Sequence, residues 1–135
     1  VLVAGLGLGI ILMAIQDKKD VREIVIYEKY PELIKLVAEK LPLNKKVKII
    51  EGDIFDIKPE GKFDTIYFDI WNHISADNWT DMKKLHRAWR KCLSPGGWMD
   101  SWRRSYCQEL AAEDRKEERE NERWTRAFNH NPLLS

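Results

Sequence analysis

Short apolar runs alternate with amphipathic segments through residues 1–102. The apolar runs are typical of strands buried on both faces of a parallel sheet. We predict strands at 1–4, 21–27, 47–50, 63–68 and 98–102. The segments between them carry apolar residues at helical spacing. We predict helices at 10–16, 31–41 and 79–93, and a turn at 94–97. Strands that alternate with helices favour an α/β fold with a mostly parallel sheet of about five strands.

The end of the chain has a different pattern. Residues 103–128 mix acidic and basic side chains, and opposite charges at helical spacing predict one long, charged C-terminal helix in solvent. Trp124 and Phe128 near its end indicate docking onto the domain or onto a second copy, so a homo-oligomer is possible. We therefore divide the chain into a sheet domain at 1–102 and a charged helix with its tail at 103–135, packed on that domain.

The composition narrows the classes of protein to consider. The 135 residues suit one core, and 23 basic against 22 acidic residues give a net charge of +1, so no nucleic-acid signature stands out. The apolar start is too short to span a bilayer. Cys92 and Cys107 lie far apart, which favours free thiols and a reducing, cytoplasmic setting. The chain opens inside a predicted strand, so we expect a fragment or a trimmed N-terminus.

Glycine or an acid follows each of the first four predicted strands. Three glycines, Gly5, Gly7 and Gly9, follow the first strand, and Glu28, Asp53 and Asp69 follow the next three. In open parallel sheets, ligands bind beyond the carboxyl ends of the strands. The structural alternative is a tight turn without a ligand, with the acids capping the helices that follow them. The coincidence at four strand ends favours a ligand site.

The spacing of these residues bears on the ligand. The turn reads G-x-G-x-G, and isoleucine stands where the dinucleotide fingerprint has its last glycine or alanine. Glu28 is placed to bind both hydroxyls of a ribose, as nicotinamide and adenosyl ligands both require. Asp53 can accept a hydrogen bond from an adenine amino group, and Ile54 can pack on the ring. The pattern favours an adenosyl ligand, while a nicotinamide dehydrogenase stays open.

Five segments, VAGLGLG, IVIYEK, GDIFD, FDTIYFD and LSPGGW, occur in this order. Over roughly residues 1–102 the chain resembles the class I S-adenosylmethionine-dependent methyltransferases. The resemblance implies a Rossmann-like sheet with helices on both faces and S-adenosylmethionine as the cofactor. It also implies roles for individual residues, with the glycines near the methionine part, Glu28 on ribose, Asp53 and Ile54 beside adenine, and Asp69 near the amino-acid end or the reaction centre. The resemblance does not identify the methyl acceptor.

Two departures from the family pattern keep other functions open. The chain looks most like the spermidine synthase branch, which suggests an aminopropyltransferase, but the branch's D-x-x-D motif reads Asp69-Ile-Trp-Asn72 here. The signature of amino-group methyltransferases is absent from the sequence. The family's last two strands have no counterpart in these residues, so we expect a sheet that is truncated relative to the family. A non-catalytic or regulatory remnant that acts through oligomerisation is therefore a third hypothesis.

Two residues are candidates for the catalytic group. Asp69 and His73 are the candidates, since a histidine pKa near 6.5 suits proton transfer, although loop histidines are commonly without such a role. Trp71, Trp79 and Trp98 can form an aromatic lid over a planar ligand. We expect no metal, because the sequence has no cluster of residues with metal-ligand spacing.

Overall fold

The computed structural model describes residues 1–133, which form a single sheet of five parallel strands in the order β3-β2-β1-β4-β5. The predicted fold class, an α/β Rossmann-like sheet with a long C-terminal helix, is confirmed. The strands are β1 (Leu2–Ala4), β2 (Ile24–Glu28), β3 (Val47–Glu51), β4 (Phe63–Phe68) and β5 (Leu93–Ser101). The helices are α1 (Ile10–Ile15), α2 (Pro31–Lys40), α3 (Ala76–Trp89) and α4 (Arg104–Asn129), with a 3-10 turn at Arg90–Cys92.

The central strand β1 separates two apolar layers. Its Leu2 pairs with β2 on one side and β4 on the other. Successive side chains of a strand point to opposite faces, so Leu2 packs with Leu85 and Trp89 of α3. Val3 packs in the opposite layer with residues of α1 and α2. This double coverage explains why β1 is apolar throughout. Parallel pairing of the strands brings their carboxyl ends to one edge of the sheet.

Several boundaries differ from the sequence prediction, among them the start of β2 and both ends of α3, and the starts of α3 and β5 have a clear physical cause. Helix α3 begins at Ala76, earlier than expected, because the Ser75 hydroxyl caps it by accepting the N–H of Asn78 at 3.3 Å. Strand β5 begins at Leu93, so the predicted turn at 94–97 lies inside a strand. The register against β4 shifts across that stretch. A side chain at Gly97 would crowd the Asp64 carbonyl oxygen, and glycine therefore permits this irregular pairing.

Helix α4 packs on the domain only through its first turns. Cys107 and Ala111 are its buried residues, and every described residue after Ala111 is exposed. Trp124 is 73% exposed and Phe128 is 55% exposed, so neither side chain docks onto the domain. Of our two expectations for these residues, docking onto the domain is therefore wrong, and docking onto a second copy stays a prediction. The beginning of α4 therefore contacts the domain, and residues 134–135 of the predicted tail lie outside the described part. Within residues 1–133, no helix is long and apolar enough to cross a bilayer.

Candidate functional site

A cleft of about 560 Å³ lies at the carboxyl ends of β1 to β4. Most of the residues predicted at these strand ends line it, namely Gly5, Gly7, Glu28, Asp53, Ile54 and Asp69. Two candidates, Gly9 and His73, are not among its lining residues. The parallel sheet therefore brings together groups that are far apart in sequence, as expected for residues that follow neighbouring strands.

The three glycines of the turn have different surroundings. All have positive φ, at 97° for Gly5, 53° for Gly7 and 76° for Gly9. A Cβ atom on Gly5 would overlap the carbonyl oxygen of Asp69, whereas one on Gly7 would meet only open space. Gly9 precedes α1 and faces Leu41 beyond α2, so a side chain there would strike the packing between the helices. Gly5 and Gly7 thus border the cleft, while the structure gives Gly9 a packing role outside it.

The carboxylate of Glu28 ties the glycine turn to the next helix. It accepts the backbone N–H of Leu6 at 2.8 Å with one oxygen and that of Tyr30 at 3.1 Å with the other. Tyr30 is the N-cap residue of α2, so Glu28 holds the start of that helix, as the structural alternative of a capping acid expects in part. A carboxylate oxygen has two acceptor sites, and each oxygen of Glu28 therefore retains capacity for a ligand hydroxyl.

The acid after β3 is held by its own loop and by a lysine. Asp53 accepts the N–H of Phe55 at 3.0 Å through Oδ1, and Nζ of Lys29 lies 3.6 Å from Oδ2. Ile54 is buried in the apolar layer of α3 and lines the base of the cleft. Sequence reasoning missed Lys29, whose only signal was its position directly after Glu28.

Asp69 directly follows β4, the strand beside the central strand β1. Its backbone N–H donates to the Ala4 carbonyl at 2.8 Å, which fixes the end of β4 against β1. Burial raises the pKa of the Asp69 carboxyl above its usual value. Asn72 also lines the cleft, so the second position of the D-x-x-D pattern carries an amide. His73 is exposed, and its Nδ1 lies 2.7 Å from Oδ1 of Asn72.

Aromatic side chains also surround the cleft, but they are not the predicted set. Trp71 lines it, together with Tyr27, Tyr30 and Phe55, which the sequence analysis did not single out. Trp79 lies instead in a groove on α3, and Trp98 stacks on Tyr67 at 6.0 Å. Among residues 1–133, no group of three or more histidine, cysteine or acidic side chains is arranged to hold a metal ion. The cleft thus offers carboxylates and aromatic faces, which suit a ligand with hydroxyl or amino groups and a planar ring.

Solved structures share this fold. DhpI, in a complex with SAM and HEP, is similar to the chain with a TM-score of 0.58 and 21% identity, over 74% of this chain and 44% of DhpI. An S-adenosylmethionine-dependent methyltransferase from Mesorhizobium loti has a TM-score of 0.58 and 17% identity, over 74% of this chain and 43% of its own. The glycopeptide N-methyltransferase MtfA has a TM-score of 0.55 and 18% identity, over 73% of this chain and 43% of MtfA. This chain therefore spans less than half the length of each of these proteins.

The family is shown by sequence. No curated protein matches the chain, but a family model described as a methyltransferase domain matches residues 1–97. The resemblance inferred from the five motifs is confirmed at the level of family and fold, while the spermidine synthase branch stays a prediction. Because the match covers more than half of its length, this chain belongs to the methyltransferase domain family.

Proposed function

We propose that the chain binds S-adenosylmethionine in the strand-end cleft and serves as the cofactor domain of a methyltransferase. One observation carries the proposal, which is that four adjacent strand ends contribute a glycine turn, two acids and Asp69 to a single cleft. Membership of the methyltransferase domain family supports it. The presence of SAM with DhpI, a protein of the same fold, is consistent with it.

The residues of the cleft fit the parts of this cofactor. Glu28 has acceptor capacity left for the two ribose hydroxyls, and Asp53 for the adenine amino group. The open space beside Gly7 lets a ligand approach the backbone of the turn. When bound, S-adenosylmethionine supplies a methyl group on a positively charged sulfur, and the protein's task is to hold and orient the reactants.

We assign the role nearest the reaction to Asp69. It lines the cleft at the end of β4, on the other side of the glycine turn from Glu28 and Asp53, and burial raises the pKa of its carboxyl, which favours a group that receives or holds a proton. His73 is the second candidate, since it is exposed beside Asn72 and would have to turn toward the cleft. The methyl acceptor would then sit next to Asp69.

Isothermal titration calorimetry with S-adenosylmethionine and S-adenosylhomocysteine tests the proposal. We expect both to bind, and Asp53→Asn to weaken binding about tenfold, the equivalent of losing one charge-assisted hydrogen bond. Asp56→Asn is the matched control, because Asp56 is exposed in the same loop and does not line the cleft. No heat with either ligand, together with an unchanged melting temperature, rejects the proposal.

A titration with decarboxylated S-adenosylmethionine, together with an assay of turnover, separates the two remaining hypotheses. An aminopropyltransferase should prefer decarboxylated S-adenosylmethionine, whereas a methyltransferase should prefer the intact cofactor. A regulatory remnant should bind a cofactor without turning over any acceptor. We also propose a cytoplasmic location, because Cys92 and Cys107 are both buried free thiols, as is usual in a reducing compartment. Fractionation of cells that express the protein tests the location.

A further inference from the structure

A second concave surface, which we call the α3 groove, lies away from the strand-end cleft. It has a volume of about 470 Å³. Its lining residues are Trp79, Met82, Lys83, His86, Arg87, Arg90 and Arg104. No acid is among them, although the chain as a whole is almost neutral. The groove is therefore a local concentration of positive charge with an apolar floor.

The charge of the α3 groove is poorly compensated. Asp100 binds Arg104, with Oδ1 2.8 Å from Nε. Within residues 1–133, Lys83, Arg87 and Arg90 form no ion pair, and the ammonium of Lys83 lies over the Trp79 ring at 5.6 Å from its centre. Lys83 and Arg87 of α3 and Arg90 of the 3-10 turn that follows it are thus three exposed cations spaced by four and three residues, as neighbours on one face are. Such a face is complementary to an acidic partner.

An acidic surface of matching form is present on the exposed part of α4. Glu113, Glu117, Glu120 and Trp124 are spaced by four, three and four residues, so they share one face of the helix, which we call the α4 ridge. All four are exposed. In the part of the chain that the structure describes, the three glutamates form no ion pair. Of the basic residues of this stretch, Arg115 and Arg119 lie on other faces, whereas Lys116 and Arg123 flank the ridge at one side.

The groove and the ridge correspond residue by residue when the two helices run antiparallel. Trp79, Lys83, Arg87 and Arg90 are spaced by four, four and three residues, nearly the ridge spacing read backwards. At a rise of 1.5 Å per residue, both rows are about 16 Å long. Trp124 then meets Trp79, and Glu120 meets Lys83. At the other end of the contact, Glu117 and Glu113 meet Arg87 and Arg90.

We propose that the α4 ridge of one molecule docks in the α3 groove of a second copy, and that the exchange is reciprocal, which makes a two-fold symmetric dimer. In such a dimer each surface is used twice, so both acidic ridges and both basic grooves are neutralised. The stacked tryptophans supply apolar contact, and the ion pairs fix the direction and register of the helices. This arrangement gives α4 a partner beyond Ala111, where it has none within residues 1–133.

Charge reversal with mixing tests the proposal by analytical ultracentrifugation. The groove variant is Lys83→Glu/Arg87→Glu/Arg90→Glu, and the ridge variant is Glu113→Lys/Glu117→Lys/Glu120→Lys. We expect the wild type to dimerise more tightly at low than at high ionic strength, and each variant alone to dimerise at least about a hundredfold more weakly. An equimolar mixture of the two variants should form a heterodimer, because both contacts then join opposite charges. Circular dichroism establishes that each variant is folded.

A matched control uses the neighbouring stripe of α4. Asp114→Lys/Glu118→Lys/Glu122→Lys changes the net charge by the same amount, and it should leave the dimer intact. A wild type that stays monomeric overturns the proposal, as does a dimer that neither variant weakens or a mixture of folded variants that stays monomeric. A monomer whose groove variant loses affinity for a labelled oligouridylate also overturns it, and indicates single-stranded nucleic acid as the occupant instead.

Discussion

The Glu28 carboxylate accepts a hydrogen bond of 2.8 Å from the backbone N–H of Leu6, in the middle of the glycine turn. Glu28 is only 6% exposed, and its other oxygen accepts the N–H of Tyr30. One side chain thus organises two segments that border the cleft, the turn after β1 and the start of α2. The acid at the end of β2 is therefore part of the fold before any ligand arrives.

Replacing Glu28 should cost stability as well as binding. Glu28→Ala leaves the Leu6 N–H without its acceptor in a buried setting, so the free energy of unfolding should fall by about 2 kcal/mol. Glu28→Gln should also destabilise, because it offers one acceptor oxygen to two N–H donors. Urea denaturation measures both, and Glu51→Ala, which changes an exposed glutamate at the end of β3, should have little effect. Equal losses for positions 28 and 51 would contradict the role given to the buried carboxylate.

Gly5→Ala and Gly7→Ala should differ in their effect on stability. Both positions have positive φ, which costs a residue with a Cβ atom about 1 to 2 kcal/mol. At Gly5 the new methyl group also overlaps the Asp69 carbonyl oxygen, so the loss there should reach about 3 kcal/mol or more. At Gly7 the methyl group enters open space on the cleft, and we expect weaker cofactor binding with the smaller stability loss. Denaturation and calorimetry on the two variants separate these effects.

The strand ends could be predicted from the sequence because each signal is local. An apolar run followed by glycine or an acid indicates a buried strand and its carboxyl end, and parallel pairing then brings residues as distant as Gly5 and Asp69 together. The different role of Gly9 could not be predicted in this way. Gly9 faces Leu41, which directly follows α2. This tertiary contact depends on where α2 packs, and no local sequence signal reports it.

The misplaced turn in β5 has a similar origin. Pro95 and two glycines are a strong local turn signal, yet pairing with β4 carries the chain through them as an irregular strand. The α3 groove could not be predicted from the sequence either, because only tertiary packing brings Arg104 next to the residues of α3. Charge totals of the whole chain conceal such a patch, since the acids that balance it lie elsewhere.

Asp69→Asn should stabilise the protein at neutral pH while it impairs binding or turnover. Burial raises the pKa of Asp69, so the folded state binds a proton more readily than the unfolded state does, and stability is lost as pH rises from about 3.9 through the folded pKa. The neutral asparagine avoids that loss. We expect a higher urea midpoint for the variant at pH 7, and a difference that disappears toward low pH. A variant less stable than wild type at pH 7 would show that the charged carboxylate makes a stabilising contact.

His86 should make stability depend on pH in the opposite sense. Its Nε2 lies 2.6 Å from the Ser101 hydroxyl oxygen, between α3 and the end of β5. Burial lowers the pKa of His86, and Arg104 and Arg90 lower it further, while Asp100 opposes them. Below about pH 6.5 the unfolded state therefore binds more protons than the folded state. The contribution of His86 is complete above that pH and is lost as pH falls from there through the folded pKa.

Urea midpoints between pH 7.5 and 5 measure this effect. The wild type should lose stability across that range more steeply than His86→Gln, which retains a polar side chain near Ser101 but does not titrate. His73→Gln is the matched control, because His73 is exposed on a loop, and its profile should follow that of the wild type. If His86→Gln shows the same pH dependence as the wild type, the acid sensitivity belongs to other groups, and the cations around the α3 groove do not disfavour protonation of His86.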